Sequence, residues 1–401
     1  MPDPLQSLKA MGAAAIVSAM IVLAMVTVRR QASTTWLNLS CVLGIGLGLV
    51  VGYGVVSLRL AWPPVNGLDR LLTITVPLAL GIELIAGFQN VPRWGAWLLR
   101  LILAATIPRI LLHGSVYLSD SPEGWTPWQT GMSLAVCGAL LAGVWSLLSW
   151  LSQRSPGTSI PLAICLPILC AGLTVMMAGY IKGGVAAFPL VATLVATAIG
   201  ARLMAKRSVA LANFRAPAIV GVGVVGLFGL LFLGRFFGRL STGYALALLL
   251  TPLLCWVTEM PRLRRRKPWL VGSFRLVLVA IPLLVVLAAA KRDFDRDMAP
   301  LLGKIQASPC RLLRERFHQS ADIRLQLDLA PRQMEDFIRS RAVAVRDHKS
   351  NHADRLSIRF FVTDEFHFCV TDEYAEWCNR LRMTAIDCHD FRSLAACGCS
   401  W

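Results

Sequence analysis

The sequence predicts an all-α, polytopic integral membrane protein: a bundle of about ten transmembrane helices with a small, weakly folded or disordered C-terminal tail. Three observations carry that reading. Of 401 residues, 56% are hydrophobic and only 16% charged, with a mean hydropathy of +0.60, whereas an ordinary soluble domain is about one quarter charged. Ten separate runs approach or exceed the roughly 20 mostly apolar residues needed to cross ~30 Å of hydrocarbon. Charge is also unevenly divided: residues 1–290 hold 22 Lys/Arg against 6 Asp/Glu, and residues 291–401 hold 18 against 17. The basic excess therefore belongs to the apolar part, between the runs, as in a membrane protein's loops rather than a nucleic-acid surface. We accordingly divide the chain into a transmembrane bundle, 1–290, and a charged Cys- and His-containing tail, 291–401.

Taken in order, the first run, 10–28, has the length of a signal sequence. Its start carries only Asp3 and Lys9, Arg29 and Arg30 follow it, and no small-residue cleavage site is visible. It reads as an uncleaved span. The second run, 36–57, places Gly44, Gly48 and Gly52 on one face, and the seventh, 184–201, does the same with Ala192, Ala196 and Gly200. Small residues at this spacing let helix backbones approach, so both helices are expected inside the bundle. The third and fourth runs, 71–88 and 94–112, form a hairpin through Gln89-Asn90-Val91-Pro92-Arg93. The fifth and sixth are 131–151 and 160–181; the Gly179-to-Gly184 stretch reads as the tight turn into the seventh. The eighth, ninth and tenth are 217–234, 241–258 and 270–290. Trp36, Trp94, Trp97, Trp128, Trp150, Trp256 and Trp269 fall near run ends, where interfacial aromatics belong.

Loop charge sets the orientation. Loops after odd-numbered runs carry 13 Lys/Arg and those after even-numbered runs carry 5, which puts the former in the cytoplasm and the N-terminus outside. The expected location is the cell membrane, plasma or inner, with multiple passes.

Intramembrane charge is scarce, and the hairpin holds two such residues, Glu83 and Arg100. Each lies about 12–14 Å along its helix from the connector at 1.5 Å per residue, so an antiparallel hairpin sets them at matching depth. A charge at membrane depth is costly and marks a candidate site once its partner is named. Arg109 and His113 share a helical face at the outer end of the fourth run. They lead into a loop containing Asp120, Glu123 and two Trp, the shape of a solute-facing vestibule or of an anchoring turn. Arg275, five residues inside its run, is expected to snorkel to the interface. The segment Arg100–Pro108 echoes Arg275–Pro282, which apolar composition bias explains as chance.

The tail carries His367, Cys369, Cys378 and Cys388 as weak metal-ligand candidates, without the C-x-x-C pairing that makes zinc binding persuasive. Disorder, disulfide bonding and metal binding are its three readings, in that order. No phosphate-binding loop, nucleophile elbow or zinc-protease helix occurs, so no cofactor is expected and catalysis is disfavoured. The expected partners are the lipid bilayer and a small solute, with no nucleic acid. The leading functional expectation is a permease or exporter with a Glu83–Arg100 polar centre. The alternatives are a non-transporting scaffold or assembly factor, and a membrane enzyme acting on a lipid-linked substrate.

Overall fold

The computed structural model describes residues 4–28, 34–56, 58, 62–88, 91–118, 125–155, 158–207, 217–260 and 268–307. The tail candidates His367, Cys369, Cys378 and Cys388, and the loop acids Asp120 and Glu123, lie outside them. Residues Met1–Asp295 group as one unit by their internal contacts, and the bundle belongs to that unit.

The chain is an all-helical, multi-spanning membrane protein, and no strand occurs among the described residues. Helix α1 (Pro4–Val28) is followed by α2 (Thr34–Val55), then by α3 (Gly67–Arg70), a π-helical turn (Leu71–Thr75) and α4 (Val76–Ala86) without a break. Next come α5 (Arg93–Leu112), α6 (Pro127–Arg154), α7 (Ser159–Met177), α8 (Ile181–Arg207) and α9 (Pro217–Phe236). Helix α10 (Thr242–Leu250) runs into a 3-10 segment (Thr251–Glu259), and α11 spans Pro268–Ala307. Every amide in hydrocarbon must be bonded within the chain, which is why the apolar runs take helical form throughout.

Nine helical stretches among the described residues are long and apolar enough to cross a membrane. The predicted third span is the remaining one. It starts at Gly67, four residues before its apolar run, and the π turn divides it. The ninth span is also irregular, being half α-helix and half 3-10 helix, with Pro252 at the change.

Helix α9 is the centre: 94% of its spanning window is buried, against 22% for both α1 and the last span. Its glycines admit neighbours closely, with Leu71 against Gly229, Leu190 against Gly226 and Ile164 against Gly223. The small-residue faces foreseen in α2 and α8 do pack. Gly44, Gly48 and Gly52 receive Ser18, Thr193 and Ala14 or Pro189, and Gly200 meets Val22. They close a three-helix cluster of α1, α2 and α8, tied by a Ser18–Thr197 hydroxyl pair at 2.6 Å. Only α8 is largely interior; α2 is 56% buried, because its opposite face carries the exposed Leu43, Leu47 and Val50.

Candidate functional site

Glu83 lies on the buried face of α4 with Val76 and Ala79, and its side chain is fully enclosed. Arg100 stands seven residues into α5 and reaches back across the hairpin. Its Nε donates to Glu83 Oε1 at 2.9 Å and its Nη2 to Oε2 at 2.7 Å. This fork satisfies both carboxylate oxygens with charge-assisted bonds, the strong geometry for an arginine and an acid. The guanidinium also stands 5.2 Å from the ring centre of Trp97, so one face of the cation is covered by an aromatic.

Three further spans converge on the acid. Gly221 of α9 packs directly against the carboxylate, and a Cβ there would overlap it. Asn38 of α2 donates from Nδ2 to the Glu83 carbonyl at 3.0 Å. Trp145 of α6, 1% exposed, sets its indole beside the carboxylate. One polar atom of this ring stays unmatched: Asn38 Oδ1 is buried with no hydrogen-bond partner. Nearly all buried polar groups are bonded in folded proteins, so an orphan acceptor beside an ion pair is notable.

The matching depth of Glu83 and Arg100 was readable from the hairpin. Asn38 and Trp145 were not singled out, although an Asn inside an apolar run is itself a signal, because polar side chains there need partners. Of the other expected site residues, the two that are described, Arg109 and His113, do not join the pair. Both are exposed at the C-terminal end of α5, and the His113 carbonyl accepts from Arg70 Nη1.

Arg275 corrects its sequence reading. It does not snorkel; it is 3% exposed. Its Nε donates to Thr258 Oγ1 at 2.6 Å, its Nη1 to Ser159 Oγ at 3.0 Å and its Nη2 to Glu259 Oε1 at 2.7 Å. The segments around Arg100 and Arg275 thus share more than composition. Each arginine enters its helix a few residues after a Trp and clasps a glutamate on the preceding span, 17 residues back in one case and 16 in the other. Glu259 escaped notice because it ends its span beside a basic loop and reads as an interfacial charge.

Among the described residues no three His, Cys, Asp or Glu side chains gather as a metal site. The chain matches no protein-family model, and no curated protein matches it.

Proposed function

We propose that this protein is a permease or exporter for a small solute, with the Glu83–Arg100 pair as its polar centre. The observation that supports this most is the ring around Glu83: a buried ion pair at the meeting of five spans, with an acceptor on Asn38 left unpaired beside it. A solute carrying a hydrogen-bond donor would match that atom without breaking the ion pair. The irregular third and ninth spans point the same way. Each carries one of the paired acids and packs on α9, and discontinuous helices line solute sites in many transporters. A π turn within a helix is likewise frequent at functional sites.

In this reading the bundle of residues 1–290 is the working part and residues 291–401 an appendage. The protein resides in the cell membrane with its N-terminus outside, following the 13-to-5 division of loop charge. Arg109, His113, Asp120 and Glu123 belong to the outer approach.

A second reading has its own support. The fork is complete and Gly221 closes on it, as a purely structural tie would, and that fits a scaffold or assembly factor. Thermal stability of purified wild type and Glu83→Gln, across a panel of ions, sugars, amino acids and lipid headgroups, separates the two. A ligand at 100 times its Kd stabilises the folded state by about 2.7 kcal/mol. Transport predicts a shift with one solute class that Glu83→Gln abolishes while remaining folded. A destabilised variant and no shift in wild type would favour the tie.

A further inference from the structure

Helices α7 and α8 leave their turn in close contact, with Gly172 against Ala187 and Gly184. Nearer the start of α7, a cavity of about 410 Å³ lies between these two helices and α11. Leu162 and Leu166 line it from α7, Val191 and Val195 from α8, and Leu276 and Val277 from α11. The lining is almost wholly carbon, and the cavity is an open groove rather than a closed void. Val277 is 53% exposed, so the groove faces out of the bundle, beside the exposed Ile199 and Ile281. Such a groove offers water no hydrogen bond, and left unfilled it forfeits dispersion contacts.

One end of the groove is polar. Ser159 Cβ stands 3.7 Å from a Cβ built on Gly272, and Ser159 Oγ accepts from Arg275, so α7 and α11 start side by side. Helix α8 runs back from its turn with α7 and finishes at this same end. A helix returns nearly to the same face after seven residues, about 10 Å farther along. Seven residues beyond Val195 on α8 stands Arg202, and seven before Leu276 on α11 stands Trp269, both exposed. A cation and an indole therefore flank the groove at the level where interfacial side chains sit. In the sequence, residues 203–216 after α8 hold three Lys/Arg, residues 260–267 before α11 hold five, and neither stretch holds an acid.

We propose that this groove holds one acyl chain of an anionic phospholipid, with the Arg202 guanidinium on the headgroup phosphate. The carbon lining takes the chain, and arginine forks onto phosphate oxygens. Basic positions between membrane helices are where anionic headgroups bind. A zwitterionic lipid shares the phosphate, but its own cation is repelled by the positive end of the bundle. A second copy of the chain could cover an apolar face, yet it would not account for the cation placed in line with the groove. The site shares no residue with the ring around Glu83, so it stands or falls apart from the permease reading.

The test is thermal stability of the purified full chain in detergent, titrated with dioleoyl phosphatidylglycerol or dioleoyl phosphatidylcholine at constant ionic strength. The expected result is a saturable rise with the anionic lipid, half-complete at about tenfold lower mole fraction than with the zwitterionic one. Glycerol phosphate, which carries the charge without a chain, should give no rise. Arg202→Gln should cut the preference about fivefold, the worth of one basic residue at a charged surface. Ala280→Phe, which fills the groove from α11, should abolish the response, while Val50→Phe on the exposed face of α2 should keep it. Equal responses to the two lipids in wild type, an unchanged preference in Arg202→Gln, or a full response in Ala280→Phe overturns the site. Should Ala280→Phe not be recovered folded, the surface change Arg202→Gln decides alone. Self-association that Ala280→Phe abolishes, without any lipid response, overturns it too and gives the groove to a second copy.

Discussion

At the scale of single residues, Glu83 is held by what surrounds it rather than by depth alone. It sits in the C-terminal half of its span, three residues before the end of α4, and a bare carboxylate there could reach the interface. The fork from Arg100 and the missing Cβ at 221 are what keep it inside. Gly221→Ala should therefore cost more than an exposed Gly→Ala change, about 1–3 kcal/mol as for other overpacked cores, measured by thermal or denaturant unfolding in detergent. Gly243, with nothing near a Cβ built on it, is the control that should lose little. Equal effects at both positions would mean that Gly221 does not cradle the acid.

At the scale of elements, the two arginine-clasped hairpins behave as one design used twice. Arg275 spends Nε, Nη1 and Nη2 on three residues from two other elements. Removing one partner of a buried pair leaves the other charge stranded, typically at about 3–5 kcal/mol. Arg275→Ala should show a loss of that size in unfolding measurements; a loss near zero would restore the snorkelling picture. These elements also show where sequence reading reaches and where it stops. The Glu83–Arg100 pairing was legible because a short connector fixes the depth of both residues. The start of the third span at Gly67 was not, since a search for apolar runs begins it at Leu71 and cuts off its polar first turn. The π turn and the 3-10 segment leave no periodicity signal in helices that are apolar all round. Nor was the central place of α9 visible: lipid is as apolar as a protein interior, so hydropathy does not separate a buried span from a lipid-facing one. Its crowded glycines, Gly221, Gly223, Gly226 and Gly229, were the available hint.

At the scale of the whole molecule, the bundle is a glycine-rich central helix with irregular spans laid against it, wrapped by helices whose outer faces are exposed and apolar. The acids of the irregular spans lie toward α9 or its neighbours, not toward lipid, as the cost of bare charge in hydrocarbon requires. If the face between the third span and α9 is a solute path, water must reach it in some state of the protein. Ala79, fully buried between Thr75 and Glu83, is the place to look. The decisive measurement is labelling of Ala79→Cys by a membrane-impermeant thiol reagent, in a background with the native cysteines replaced. Gly243→Cys serves as an exposed control near a span end. The account predicts that Cys at 79 is modified from at least one side, at a rate that Glu83→Gln changes, and that the Gly243→Cys control reacts readily from one side. Full protection at 79 from both sides, with the control reacting normally, would contradict a path at this face and leave Glu83 and Arg100 as a structural tie.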